Sequence, residues 1–333
     1  MGSGAIGKAT PSRRHAEGDE HVSAQAVAAD EKVQSENVTV RRVRRGTTQA
    51  RVTTLKGPAG RDFVLLAGIG VASNYYVRLA ADLNTTGSVH AIDLPGFGGV
   101  RHRDRALDIG DFAEIAGAVI DDLGLDDPVV IGHSMGAQVA TELAARRPEL
   151  TSLVLIGPVI DADARTIPQQ ILRLAHSALY EPGAVRVLVG MSYAMCGPRW
   201  ILKTLPRMMR YRIEERIGAV QADTLIVRGD HDANCPREWA ERLVELVPRG
   251  RAVEVDGAAH SVMYRHAHEV AKLCLLHDGG EEAVRELEPP SKPRHPAMRV
   301  RGVAMNVAGM VRGDDALIAR GIVTQRHATD MAD

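Results

Sequence analysis

Cysteine is scarce in this chain. There are three, Cys196, Cys235 and Cys274, without metal-ligand spacing, and any disulfide scheme leaves one unpaired. That excludes a disulfide-stapled scaffold and fits a reducing compartment. An excess of either charge is also missing: 41 basic residues stand against 42 acidic ones. A dedicated nucleic-acid binder needs a net or clustered basic surplus, so that class is set aside. The Arg41-Arg42-Val43-Arg44-Arg45 cluster reads as a solvated strand edge. No uninterrupted apolar run approaches the roughly 20 residues that span a bilayer. Arg13-Arg14 is followed by His15, Ala16, Glu17, Gly18, Asp19 and Glu20, where a secretory signal needs an apolar stretch. A soluble, cytoplasmic protein is the expectation. Nucleotide and metal signatures are absent too: the chain has no G-x-x-x-x-G-K-[ST], no H-E-x-x-H and no G-x-G-x-x-G opening a helix. No cofactor and no metal are expected.

What is present is a core-forming composition, 45% hydrophobic over 333 residues, enough for one large domain or two small ones. Residues 1–37 lack any sustained period and read as a flexible N-terminal tail. From Val38 onward, strand-like runs alternate with helical ones: Arg51 to Leu55, Phe63 to Ala67, Val89 to Ile92, Val129 to Ile131 and Leu153 to Ile156, with helices at Tyr75 to Leu83 and Phe112 to Leu123 and after Ser134. Such alternation predicts an α/β fold, a mostly parallel central sheet with helices on both faces. The alternation stops over 162–216, where Leu, Met, Arg and Tyr dominate and Pro168, Pro182, Pro198 and Pro206 read as helix breaks. It resumes at Thr224 to Val227 and Ala252 to Val255. The chain is thus divided into a first core part at 38–161, a helical cap at 162–216, a second core part at 217–278 and a flexible tail at 279–333. Within that tail Val303, Val307, Met310 and Val311 recur at helical spacing, compatible with a short surface helix.

The chemistry centres on Gly132-His133-Ser134-Met135-Gly136, which lies between the apolar run Pro128 to Ile131 and a helix-like stretch. Strand, G-x-S-x-G and helix make a nucleophile elbow, whose glycines flank a serine held in a strained turn. A serine hydroxyl needs a base in contact, itself oriented by an acid. Open α/β sheets place such partners on loops at the carboxyl ends of strands. Two loops fit: Arg228 to Pro236, which contains Asp230 and Asp232, and Asp256 to Ser261, which contains His260. The order Ser, Asp, His is the one elbow hydrolases use.

From Arg51 to His277 the sequence resembles the α/β-hydrolase superfamily. The motifs that carry the resemblance are Asp93-Leu94-Pro95-Gly96-Phe97-Gly98, the elbow, Gly229-x-x-Asp232 with Pro236 behind it, and Gly257-Ala258-Ala259-His260. The resemblance implies that Ser134 attacks an acyl carbon, that His260 carries the proton, and that Asp232 orients the imidazole. Asp230 remains open as the acid, with Asp161 a more distant third. It also implies an oxyanion hole of backbone N–H groups, one from Met135 and the second from the loop Ala67-Gly68-Ile69-Gly70-Val71. There Ala67 stands where the family usually has histidine, and the donor is Ile69 or Gly70. A serine at the elbow argues against the dehalogenase and epoxide-hydrolase branches, which use a carboxylate. The cap carries eight basic residues (Arg165, Arg173, Arg186, Arg199, Lys203, Arg207, Arg210 and Arg212) against Asp163 and Glu181. These either meet an anionic substrate or snorkel to solvent. The leading expectation is a serine hydrolase of a small carboxylic ester, with a small molecule as its only implied partner. The alternatives are hydrolysis of a carbon–carbon bond in a diketo acid, and a non-catalytic ligand receptor on the same fold.

Overall fold

Several short runs in this chain are apolar along their whole length rather than alternately, which is the pattern of strands covered on both faces. In the computed structural model, which describes residues 33–35, 37–102, 105–287 and 296–330, those runs are the centre of a nine-stranded sheet. The strands are β1 (Val33–Ser35), β2 (Val38–Arg45), β3 (Thr48–Leu55), β4 (Phe63–Leu66), β5 (Val89–Asp93), β6 (Val129–His133), β7 (Ser152–Ile156), β8 (Asp223–Gly229) and β9 (Gly250–Val255). They run in the order β1-β2-β3-β5-β4-β6-β7-β8-β9. The pairs from β5 to β9 are parallel, and β1, β2 and β3 extend the sheet antiparallel.

Alternate residues of one strand serve opposite layers, as a two-residue side-chain period requires. Val64, Leu66, Val130 and Leu155 join one core with helices α2 (Ile109–Leu123), α3 (Met135–Arg146) and α8 (Arg237–Leu246). Phe63, Leu65, Ile131 and Val154 join the other, with α1 (Val77–Leu83) and α10 (Ala267–His277). The α/β expectation is met.

Between β7 and β8 the chain inserts α4 (Ile167–Tyr180), α5 (Gly183–Cys196) and α6 (Pro198–Arg210), followed by the short α7 (Ile213–Arg216). Pro182 and Pro198 stand at helix breaks as expected, before α5 and at the start of α6, whereas the other two prolines act differently. Pro168 sits in the first turn of α4, where its missing N–H costs nothing, and Thr166 and Gln169 form a capping box in front of it. Pro206 lies inside α6 without ending it. It removes one N–H from the ladder, but Leu202, whose carbonyl loses that partner, is exposed to water.

The flexible tail expected at 279–333 is the main correction. Besides α9 (Val262–Arg265) and α11 (Glu281–Glu286), the described residues include α12 (Pro296–Arg312) and α13 (Asp315–Asp330), which pair with each other. Helix α13 packs on β1 and β2, burying Ile318, Ala319 and Ile322 with Val38 and Val40 in a third core. Arg42 clamps the hairpin with a two-pronged ion pair to Asp315, at 2.9 and 3.0 Å. Strand β1 pairs only with Val38 to Val40, so the Arg41–Arg45 run keeps β3 as its strand neighbour on one side, as at a sheet edge, while Arg42 is drawn onto the hairpin. Hydrophobic spacing underreports this hairpin because its seam is built from small residues. Gly302 faces Gly321 so closely that a Cβ on either would strike the other's backbone or a neighbour's. On the N-terminal side, residues 1–32 and 36 of the expected tail lie outside the described residues, and 33–35 form β1.

Ile318→Ala is accordingly expected to cost ~2–5 kcal/mol of unfolding free energy, as a buried large-to-small change does. A substitution in a loose tail would stay within ~0.5 kcal/mol. Denaturant titration of the full chain distinguishes the two.

Candidate active site

Strand β6 ends at His133 and α3 begins at Met135, so Ser134 alone makes the turn, at φ 57° and ψ −120°. A non-glycine residue at positive φ is strained and persists only where its surroundings enforce it. The enforcement is visible on both sides. A Cβ on Gly132 would run into the Gly136 carbonyl, and one on Gly136 into that of Leu66, so neither position tolerates a side chain. The Ser134 N–H donates to the Ile156 carbonyl at 2.9 Å, tying the turn to the end of β7.

The acid and histidine loops are zipped together beyond the last β8–β9 pair. Asp230 N–H donates to Val255 O at 3.2 Å, and His231 N–H to Ala258 O at 2.9 Å. This register brings His260 Nδ1 within 2.9 Å of Asp232 Oδ2, while Asp232 Oδ1 accepts from the N–H groups of Asn234 and Cys235. Both side chains are buried, and the pair rests against Gly157, the residue after Ile156. A second link runs from the elbow itself: His133 Nε2–H donates to the His260 carbonyl at 3.0 Å. Ser134, Asp232 and His260 are therefore gathered at the carboxyl ends of β6, β8 and β9. Asp230 and Asp161 are occupied elsewhere. Asp230 accepts from Ala258 N–H at 3.0 Å, and Asp161 from the Arg173 guanidinium at 2.8 Å.

Burial alone would raise the Asp232 carboxyl, but the neighbouring His260 charge and the hydrogen bonds it accepts hold it below the usual range. Burial would lower His260, yet Asp232 overrides it and raises the imidazole above its ordinary value, with Glu181 adding to the effect. His133 goes the other way. Burial, then the charge of His260, push it well below the normal range, so it stays neutral beside the pair. Burial pushes the Cys196 and Cys274 thiols up to about 12 and Cys235 well above its ordinary value, which leaves all three unreactive near neutral pH.

The loop from Ala67 to Val71 makes a turn closed by Val71 N–H donating to Gly68 O at 3.4 Å. Gly68 abuts the Ser134 side chain, whereas Gly70 faces the ring of Tyr193 on α5. Ile69 lies between them. Met135, the first residue of α3, has an N–H that no intrahelical carbonyl can reach. The inserted helices abut the same loops. The Glu181 carboxylate accepts from Ser261 N–H at 2.6 Å, Ser177 Oγ accepts from Ala233 N–H at 3.0 Å, and the Tyr180 ring stacks on His231 at 4.2 Å. Among the described residues, no three His, Cys, Asp or Glu side chains group to hold a metal ion.

A model of the alpha/beta hydrolase family matches residues 63–273. The chain belongs to that family. Its similarity to a pimeloyl-[acyl-carrier protein] methyl ester esterase of Chromobacterium violaceum is 27% identity over 247 residues, covering 66% of this chain and 94% of the relative. A putative carbamate hydrolase RutD of Azorhizobium caulinodans is 25% identical, covering 61% and 85%. Among solved structures, a thermophilic esterase of Thermogutta terrifontis superposes with a TM-score of 0.61 at 17% identity, covering 73% of this chain and 99% of that one, which speaks to fold alone. The chain is thus a hydrolase.

Several residues of this hydrolase's site escape sequence reasoning. Glu181 reads only as one acid in a basic stretch, yet it holds the histidine loop. Tyr75, whose hydroxyl donates to Ser261 Oγ, reads only as the start of a helix, and Tyr193 only as part of the inserted stretch. His133 is an unspecified position of G-x-S-x-G. No local pattern marks them, since the partners of Glu181, His133 and Tyr75 lie between 80 and 186 positions away, and Tyr193, inside the insertion, meets Gly70 far before it.

Proposed function

We propose that this hydrolase cleaves a small, uncharged carboxylic ester through an acyl-enzyme on Ser134. The observation that carries the reading is the buried Asp232–His260 pair, 2.9 Å apart, beside a serine at positive φ on the elbow. Ser134 Oγ attacks the ester carbonyl carbon as His260 Nε2 takes its proton. Asp232 accepts from Nδ1–H, fixing the tautomer and stabilising the imidazolium. The tetrahedral oxyanion is met by the N–H of Met135 and by that of Ile69, which adjoins Gly68 on the serine side of its turn. As the carbonyl re-forms, the C–O bond to the alcohol breaks and His260 returns the proton to it. Water then repeats the sequence on the acyl-enzyme and releases the acid.

An uncharged substrate is favoured because several of the cap's cations are paired with carboxylates or exposed to solvent. Arg165 pairs with Glu214 and Arg173 with Asp161, while Arg186, Arg199 and Arg210 are exposed. The inserted helices instead bring the Glu181 carboxylate onto the histidine loop, and it would repel a diketo acid. Two relatives named for a methyl ester and a carbamate agree with acyl chemistry at a neutral carbonyl. The test is turnover of p-nitrophenyl esters of graded chain length alongside a dienoic diketo acid. Ester turnover with an optimum in chain length is expected. Cleavage of the diketo acid without ester turnover would replace this reading with the carbon–carbon one.

A further inference from the structure

Thirteen large apolar side chains stand strongly exposed in the described part of the chain, and nine of them are on α4, α5 and α6. Leu172, Leu179 and Leu202 are 71, 74 and 68% exposed, and Val187 and Ile171 are close behind. Scattered singly over a surface, such residues need no explanation; gathered on one module they mark a contact face. The charge pattern of the same module is equally lopsided. From Ala164 to Arg212 there are eight basic residues and a single carboxylate, Glu181, and that one is turned inward onto Ser261 N–H. Arg186, Arg199 and Arg210 are exposed and make no ion pair among the described residues.

Apolar side chains interspersed with cations and free of outward acids are the composition of a helix face that lies in a lipid interface, its apolar groups at the acyl boundary and its guanidinium groups among anionic headgroups. We propose that the outer face of α4, α5 and α6 docks on an anionic lipid surface. A second copy of the chain fits poorly, because pairing this face with itself sets cation against cation. An acidic protein would match the cations, but the leucines project from three separate helices. A fluid bilayer covers them without a matching shape. Since these helices abut the loops around Ser134 and His260, docking brings the site to the lipid boundary, where apolar esters partition.

The measurement is co-sedimentation of the full chain with vesicles of phosphatidylcholine, with and without phosphatidylglycerol, at low and high salt. Binding that requires phosphatidylglycerol and weakens with salt is expected. A cation at an anionic membrane surface gains roughly fivefold in partition, so the triple variant Arg186→Gln, Arg199→Gln, Arg210→Gln is expected to bind about two orders of magnitude more weakly. The double variant Leu172→Asp, Leu179→Asp is expected to lose binding as well, which purely electrostatic adsorption would not predict. All five positions are exposed, so circular dichroism and turnover of a soluble ester are expected to match those of the unmodified chain. Ser134→Ala is expected to bind as the unmodified chain does, so the outcome is separable from the hydrolase chemistry. The proposal is overturned by indifference to phosphatidylglycerol, by unchanged binding in either multiple variant, or by retention on polyglutamate without vesicle binding, which would indicate an acidic protein. Concentration-dependent self-association lost in the leucine variant would overturn it in favour of a dimer face.

Discussion

Ser134→Ala is expected to lower kcat/KM for an activated ester by ~10⁶ and to abolish labelling by a fluorophosphonate probe. Loss of a triad serine costs about that much because the remaining members then have no nucleophile to activate. The substitution is a clean one for this chain. The Ser134 side chain makes no capping hydrogen bond to α3, and alanine meets the same strain at φ 57° that serine does. Unfolding free energy is therefore expected to change by less than ~0.5 kcal/mol. A variant that keeps its label, or loses less than tenfold in rate, would place the nucleophile elsewhere.

Asp232→Asn is expected to lower kcat by ~10⁴, since an amide at that position favours the wrong imidazole tautomer. It should also move the pH profile, and the direction follows from the groups around His260. The base form of the imidazole is the neutral one, so activity falls as pH drops through the His260 pKa. With Asp232 raising that pKa, the acidic limb of kcat/KM in the unmodified chain lies above the ordinary value of 6.5. Removing the charge takes away the chief raising influence and leaves the burial that lowers it, so the limb of the residual activity moves to lower pH. Asp230→Asn is the control. An asparagine Oδ1 can still accept from Ala258 N–H, so the loss is about 1 kcal/mol of stability or less, with turnover within tenfold. A collapse of rate confined to the Asp230 variant would reverse the assignment.

Much of this site is legible in the sequence because its constraints are local. The elbow needs glycine at 132 and 136 so that backbone can pass within contact of backbone. A strand followed by a Gly- and Asp-containing loop announces where β8 ends and a side chain can reach the sheet's edge. Alternation of strand and helix over 38–161 likewise needs only short-range periodicity to predict a covered parallel sheet. Between Asp230 and Asp232, by contrast, the residues alone could favour one but not exclude the other. Both sit in the same turn, and it is the β8–β9 register that points one carboxylate at His260 and the other at Ala258 N–H. The same limit hid the role of Glu181, the ring of Tyr193 over Gly70 and the link from His133 to the His260 carbonyl. Periodicity reports which face of an element is buried and is silent on what buries it. The α12–α13 hairpin fell furthest outside the reading, because helices that meet through Gly302, Asn306, Gly309 and Gly321 gain their contact from close backbone approach. A scale of side-chain hydrophobicity cannot register that approach. The motif determined which chemistry this chain is equipped for, and only the packing of distant segments set which carboxylate meets His260, which inserted helix touches the histidine loop and which end of the sheet the C-terminal helices cover.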